Sequence, residues 1–240
     1  MTARFLPSGD TAITVEFGDR IERGLSEAVL RLNERVRASG LPGVVETVPT
    51  FRSLTIHFDP LVTDGSTLVP AVRRLIDGAR VEAAASTLWR IPACYEAPHA
   101  PDLADVARST GMGCDDVIRL HSGTRFHVYM LGFAPGYPYM GDLPEAITLP
   151  RRTDPRTRVP AGSIAIAAGM SAIYPVESPG GWHLIGATPI RLFDARRPRP
   201  ALLRPGDAVS FLPVGVPEFD AIRAAVEAGT YQVPCEPLAA

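Results

Sequence analysis

Ala12-Ile13-Thr14-Val15-Glu16-Phe17 alternates apolar and polar side chains. Ile13, Val15 and Phe17 fall on one face and Thr14 and Glu16 on the other, the period-two pattern of a strand with one buried side. The chain that follows is read from this strand outward. Asp19 with Glu22 three residues on makes a capping-box-like pair, and Ile21, Leu25, Ala28, Val29, Leu32 and Val36 recur at three and four, a helix that Gly40 and Pro42 stop. Two strands follow, Val44 to Val48 and Leu54 to Phe58, with Leu54, Ile56 and Phe58 inward and His57 on the solvated face. Ser66 or Thr67 opens a second helix carrying Leu68, Val72, Leu75, Ile76 and Ala79, and a strand from Leu88 to Ala93 completes the set. The order β-α-β-β-α-β is that of a ferredoxin-like sandwich, which places a first domain at residues 1–86.

The texture changes from Pro101 onward. Two short helical segments, Asp102 to Ser109 and Asp115 to His121, are separated by Gly111 and Gly113. Beyond them short apolar segments are cut by glycine and proline: Phe126 to Leu131, Ser163 to Ala167, Ala172 to Tyr174, His183 to Ile185, Ile190 to Phe193, Ala201 to Leu203 and Val209 to Leu212. Strands at this spacing predict a closed or nearly closed β-barrel over residues 87–216, so the fold class is α+β. Residues 217–240 hold a last helix, Pro217 to Glu227, and a frayed tail.

Composition excludes several functions. With 46% apolar residues the chain can bury a core, and a formal net charge of −2 with scattered arginines gives no basic stripe for nucleic acid. No apolar run approaches the roughly 20 residues of a membrane helix, and the N-terminus lacks a signal-peptide core, which predicts a soluble, cytoplasmic protein. Cys94, Cys114 and Cys235 have neither disulfide-framework nor zinc spacing and read as buried thiols. All basic side chains are arginine. Without lysine the chain cannot supply a P-loop ammonium, a Schiff base or a biotinylation site, because arginine stays protonated and its fork has a different geometry. ATP, if used, is bound with or by partner subunits, and no covalent biotin sits on this chain.

Self-contained catalytic signatures are missing as well. There is no G-x-S-x-G, HExxH or GxGxxG, the five histidines have no metal-ligand spacing, and no catalytic residue is assigned. Three segments stand out instead. Leu131-Gly132-Phe133-Ala134-Pro135-Gly136-Tyr137-Pro138-Tyr139-Met140-Gly141 combines two prolines, three glycines and three aromatic rings. That content is unsuited to a helix or a central strand, and the loop either plugs a barrel end or exposes rings for binding. Pro150 to Ser163 carries Arg151, Arg152, Arg156 and Arg158 framed by prolines, either a solvated loop or forks for carboxylate and phosphate. In Tyr174-Pro175-Val176-Glu177-Ser178-Pro179-Gly180-Gly181-Trp182-His183, glycines let backbone approach closely beside an indole.

These segments, with Leu120-His121-Ser122, Val159-Pro160-Ala161-Gly162-Ser163 and Leu203-Arg204-Pro205-Gly206-Asp207, resemble the family of the 5-oxoprolinase B subunit, also called allophanate hydrolase subunit 1, which includes the Kip inhibitor of a histidine kinase. The resemblance spans roughly residues 5–213. It implies an N-terminal α/β domain and a cyclophilin-like C-terminal barrel. It implies a cytoplasmic hetero-oligomer in which this chain works with a C-subunit homologue and an A-subunit homologue to convert 5-oxo-L-proline to glutamate with ATP, inactive alone. Related segments form the carboxyltransferase part of urea carboxylase. The resemblance further implies a cleft lined by Arg151, Arg156, Gly180, Gly181, Trp182 and His183. His121 and a loop of Gly132, Phe133, Pro135, Gly136, Tyr137 and Tyr139 would form its rim or an interface between subunits. The chain departs from the family at Tyr95-Glu96-Ala97, at Tyr137 and at Glu177, which could pair with Arg152 or Arg158 or be solvated. The competing functions are a kinase-inhibiting binding protein and a component of an allophanate hydrolase or urea carboxylase. The barrel's likeness to cyclophilin adds a peptidyl-prolyl isomerase, for which no catalytic arginine motif is visible.

Overall fold

The computed structural model describes residues 3–78 and 86–238. Ala79, the last apolar position of the expected second helix, lies outside them. The chain divides into two compact units, residues 1–85 and 86–240.

The first unit contains β1 (Arg4–Pro7), β2 (Ala12–Glu16), α1 (Arg23–Ser39), β3 (Val44–Pro49), β4 (Ser53–Phe58) and α2 (Gly65–Ile76). Its sheet runs β1-β2-β4-β3 with every pair antiparallel. In β2 and β4 the alternation has its expected consequence: Ile13 and Val15 lie opposite Ile56 and Leu54, and these pack with Val29, Leu32 and Val36 of α1 and Leu68 and Val72 of α2. Helix α1 begins later than its apolar spacing suggests. Its N-cap is Glu22, which makes no side-chain capping bond, and Ile21 stays outside, about half exposed. In α2 the cap is Asp64, whose Oδ1 accepts from the Thr67 N–H at 2.8 Å.

The expected sixth element does not join this sheet. The edge beside β2 is filled by β1, folded back through a turn in which the Ser8 N–H donates to the Ala12 carbonyl at 2.9 Å and Gly9 takes a φ of +67°. Closing so short a loop costs far less chain entropy than bringing a strand back from residue 88. The segment expected there belongs to the second unit.

That unit contains β5 (Thr87–Ala93), α3 (Leu103–Thr110), α4 (Cys114–Ser122), β6 (Phe126–Leu131), β7 (Pro138–Gly141), β8 (Arg156–Val159), β9 (Ser163–Ala167), β10 (Met170–Ile173), β11 (Ser178–Gly180), β12 (His183–Ala187), β13 (Ala208–Pro213), α5 (Val216–Glu227) and β14 (Cys235–Pro237). Eight strands form one sheet in the order β12-β9-β10-β7-β6-β13-β5-β14, and β11 and β8 form a separate ribbon. All neighbours are antiparallel except β13 and β5. The sheet is not a closed barrel. Beyond β14 there is no further strand among the described residues, and only an isolated bridge, Cys94 N–H to Ala187 carbonyl at 2.8 Å and back at 2.9 Å, links the end of β5 to β12.

Three local expectations change. Ile190 to Phe193 and Ala201 to Leu203 form only the isolated bridge Phe193–Ala201, because Pro198 and Pro200 remove ladder donors between them. Within the described residues the tail forms a strand: Cys235–Pro237, β14, pairs with β5, and the Arg90 N–H donates to the Pro234 carbonyl at 2.9 Å. Of the cysteines only Cys94 is buried. No helix among the described residues is long and apolar enough to cross a membrane.

Candidate functional site

The site is organised by a carboxylate. Asp102 stands at the N-cap of α3 but makes no side-chain capping bond, and only 3% of its side chain is exposed. Its Oδ1 accepts from Arg156 Nη2 at 2.5 Å and Arg152 Nη1 at 3.2 Å, and its Oδ2 from the Leu184 N–H at 2.7 Å. Its own N–H donates to the Leu184 carbonyl at 2.9 Å. The start of α3, strand β12 and the arginine segment are thus tied at one residue. The ribbon completes the frame: Gly180 lies opposite Arg156, Ser178 opposite Val159, and the Arg152 N–H donates to the Gly181 carbonyl at 2.8 Å.

Against this frame packs an aromatic cluster. Tyr137, Tyr174 and Trp182 are buried, with ring centroids 5.2 Å apart for Tyr137–Tyr174 and 6.4 Å for Tyr137–Trp182, and Tyr139 joins at 5.0 Å from Tyr137 and 6.1 Å from Trp182. Edge-to-face contacts dominate, as aromatic quadrupoles favour. The Tyr137 and Tyr174 hydroxyls are hydrogen-bonded to each other. Burial raises both phenols above their usual values, and Tyr139 likewise, so all three are protonated donors at neutral pH. Gly180 is required here: a Cβ on it would stand 2.1 Å from the Tyr174 hydroxyl.

The four arginines of the segment divide by partner. Arg152 and Arg156 are neutralised by Asp102, and Arg158 Nε meets Glu177 Oε2 at 2.6 Å, which settles the partner of Glu177. Arg156 Nη1 is buried without a hydrogen-bond partner. Arg151 alone has no carboxylate among the described residues. It is exposed, its guanidinium lies 6.0 Å from the Trp182 ring, and its charge opposes the rise in the Tyr137, Tyr139 and Tyr174 phenols. An exposed fork over an indole, next to the partly exposed Tyr139 phenol, is suited to carboxylate or phosphate oxygens.

The structure gathers Arg151, Arg156, Gly180, Gly181, Trp182, Tyr137 and Tyr139 into one neighbourhood. His183 borders it, with Nε2 donating to the Pro150 carbonyl at 2.9 Å. Gly132 and Gly136 shape the aromatic turn, where the Gly132 N–H donates to the Tyr137 carbonyl at 3.1 Å, while Pro135 and the exposed Phe133 form its tip. The second half of that segment departs from the loop expected there: Pro138–Gly141 is β7, a central strand, tolerated because proline stands at its first residue.

His121 is not part of the cleft. It is fully buried in the core of the second unit, with Nδ1 2.8 Å from the Tyr95 hydroxyl, Nε2 2.9 Å from the Ser171 hydroxyl and its ring stacked on Phe211. Burial lowers its pKa to about 3, so it is a neutral core residue. Asp102 was not singled out from sequence as a site residue, and Tyr174 stood out only as the first residue of its segment. A helix-start aspartate reads as a cap, and nothing local reveals that this one turns inward instead. The described residues contain no cluster of three metal-ligating side chains. A concavity of about 470 Å³ lined by Val36, Arg37, Leu41, Val45, Glu46 and Thr47 lies in the first unit, and none of the site residues lines it.

Residues 3–203 match the family described as carboxyltransferase domain, subdomain C and D. The chain is 34% identical to the 5-oxoprolinase B subunit of Bacillus subtilis (strain 168), over 90% of this chain and 94% of that protein. It is 37% identical to the 5-oxoprolinase B subunit of Escherichia coli O157:H7, over 88% of this chain and 96% of that one. The solved structure of the K. lactis urea amidolyase covers 98% of this chain at a TM-score of 0.80, with 22% identity and 16% of its own length matched, a likeness of fold alone. On this match and these full-length likenesses, the chain belongs to the 5-oxoprolinase B-subunit family, built on carboxyltransferase subdomains C and D.

Proposed function

We propose that this chain is the B subunit of an ATP-dependent 5-oxoprolinase, acting with A-subunit and C-subunit homologues to convert 5-oxo-L-proline, ATP and water to L-glutamate, ADP and phosphate. The observation that carries the reading is likeness along nearly the whole length of both chains to proteins of that name. The site agrees with it chemically. Opening a lactam at the expense of ATP requires donors for the substrate carboxylate and for phosphoryl oxygens, and Arg151 with the Tyr139 phenol offers them beside Trp182. Arg156, committed to Asp102, holds the ribbon rather than the ligand.

ATP itself fits this chain poorly. With arginine as its sole basic side chain it has no ammonium for a phosphate loop, so the nucleotide's main site belongs to a partner protein. The assembly is placed in the cytoplasm. The first unit is read as a ferredoxin-like sheet whose edge strand comes from the N-terminus, and the second as an opened cyclophilin-like barrel. The domains are then 1–86 and 87–216, with 217–240 completing the second.

The test is 5-oxoproline-dependent ATP hydrolysis with glutamate formation by the three proteins together and with each omitted. Loss of coupled turnover when this chain is left out is expected, and turnover indifferent to it would overturn the proposal. Arg151→Ala in the intact assembly should lower kcat/KM about 100-fold, as removal of a charge-assisted donor to a reacting oxyanion does.

A further inference from the structure

Arg151 reaches the Trp182 ring on a long, rotatable side chain, so where its guanidinium lies depends first on how its backbone is set. The two peptide groups on either side of its Cα are both tied. The Pro150 carbonyl, in the peptide before it, accepts from His183 Nε2 at 2.9 Å. The Arg152 N–H, in the peptide after it, donates to the Gly181 carbonyl at 2.8 Å. A peptide group is planar, and the φ and ψ of Arg151 are the rotations between these two planes, so tying both fixes the direction in which the side chain leaves the backbone.

Both ties come from the neighbours of Trp182, since Gly181 precedes it and His183 follows it. The arginine and the indole are therefore registered against each other by one short stretch of chain docked on another. The frame behind them is firm. His183 lies opposite Ile166 in the ladder of β12 with β9, the Leu184 N–H donates to Asp102 Oδ2 at 2.7 Å, and the Leu149 carbonyl accepts from the Ala168 N–H at 2.7 Å. The Gly181 tie joins backbone to backbone and does not depend on which side chains stand there. The His183 tie is made by a side chain, and a carbonyl oxygen only accepts, so it requires a donor at this position.

We propose that His183 is the positioning residue of this site: its Nε2–H, by holding the Pro150 carbonyl, keeps the Arg151 guanidinium over Trp182, where it meets carboxylate or phosphoryl oxygens. The inference rests on the reading of Arg151 as the oxyanion donor of a 5-oxoprolinase and deepens it. It gives His183 no contact with substrate and no proton to transfer. Its contribution passes through Arg151, and reactive geometry is steep enough that a displacement of about 1 Å can cost on the order of 100-fold in rate.

The test is kcat/KM for 5-oxoproline in the enzyme assembled from this chain and its A-subunit and C-subunit homologues. His183→Ala should lower it about tenfold, less than the roughly 100-fold of Arg151→Ala, because the guanidinium is loosened and not removed. His183→Gln places an amide N–H near the same point and should restore the value to within about threefold of wild type. In Arg151→Ala the tie has nothing left to aim, so adding His183→Ala should lower kcat/KM by no more than about twofold further. A histidine that acted only on the fold would give the product of the two losses. That product would overturn the positioning role, and so would a His183→Gln variant as impaired as His183→Ala, which would point to proton transfer, since an amide cannot perform it. His183→Ala within about twofold of wild type, with Arg151→Ala down about 100-fold, would overturn it and leave the reading of Arg151 standing. An Arg151→Ala variant as active as wild type would sink both. His183→Phe, a ring without the donor, takes the place of His183→Ala in every comparison if the alanine variant does not assemble.

Discussion

Replacing Asp102 with alanine should destabilise the second unit by about 3 kcal/mol. The figure follows from what the carboxylate holds. The Leu184 N–H loses a buried acceptor, a cost of about 1–3 kcal/mol, and two arginines lose their counter-ion. Breaking a fully buried ion pair costs about 3–5 kcal/mol, but Arg152 and Arg156 keep 28% and 25% of their side-chain exposure and can partly rehydrate, which lowers that part to about 1–2 kcal/mol and the total to about 3. At roughly 2–4 °C per kcal/mol for a unit of this size, the midpoint of its calorimetric transition should fall by about 6–12 °C. Asp102→Asn keeps an acceptor for Leu184 and should cost about half as much. The Arg156→Ala and Asp102→Ala effects should be less than additive by about 1 kcal/mol, because each removes the same pair. A midpoint within about 1 °C of wild type, or strict additivity, would refute the view that this carboxylate ties α3, β12 and the ribbon together.

Other perturbations test other parts of the frame. His121 has a folded pKa lowered from 6.5 to about 3, so the unfolded chain binds a proton that the native one refuses. Its contribution is complete above pH 6.5 and lost by about 1.4 kcal/mol per pH unit as pH falls toward 3, and urea midpoints of His121→Gln should lack that slope. Its contacts Tyr95, Ser171, Phe126 and Phe211 carry no charge. Asp207 accepts from the Thr87 N–H at 3.0 Å, the Trp89 indole at 3.0 Å and the Arg204 N–H at 2.9 Å, so Asp207→Ala should cost about 3 kcal/mol and shift Trp89 fluorescence as β5 loosens. Gly180→Ala must displace the buried Tyr174 hydroxyl and should cost about 1–3 kcal/mol, with activity in the assembled enzyme falling alongside.

What the sequence made legible was periodic and local. The alternation in Ala12–Glu16 and Ser53–Phe58 and the three-and-four spacing of α1 and α5 appear where expected, because one-sided burial writes itself into neighbouring residues. Pairing over distance was not legible. Leu88 to Ala93 reads as a strand and is one, but its partner is β13, some 120 residues on, and the bonds that hold its start come from Asp207, which locally looks like a turn residue. β1 was missed because Arg-Phe-Leu-Pro is too short to show a period. At the site, the types in the three unusual segments were legible, while the division of labour among them was not. His121 has the composition of a site residue and the burial of a core one.

That division depends on where the carboxylates lie. Four arginines within Arg151–Arg158 have the same intrinsic chemistry, and a sequence cannot rank them. Asp102, fifty residues upstream of Arg152, gives two of them a counter-ion, and Glu177 gives one to Arg158. A guanidinium already satisfied by a carboxylate gains little from a second anion, because desolvating the first pair offsets the new contact. Within the segment, Arg151 is the arginine without a carboxylate among the described residues, over an indole and open to solvent, while Arg156 keeps a buried Nη1 without a hydrogen-bond partner. The same reasoning separates Arg191 and Arg196, which meet Asp194, from Arg197 and Arg199, which have no ion pair among the described residues. On the proposed function, Arg151→Ala should therefore lower turnover of the assembled enzyme, whereas charge removal at Arg197 and Arg199, which do not adjoin Trp182, should leave it unchanged.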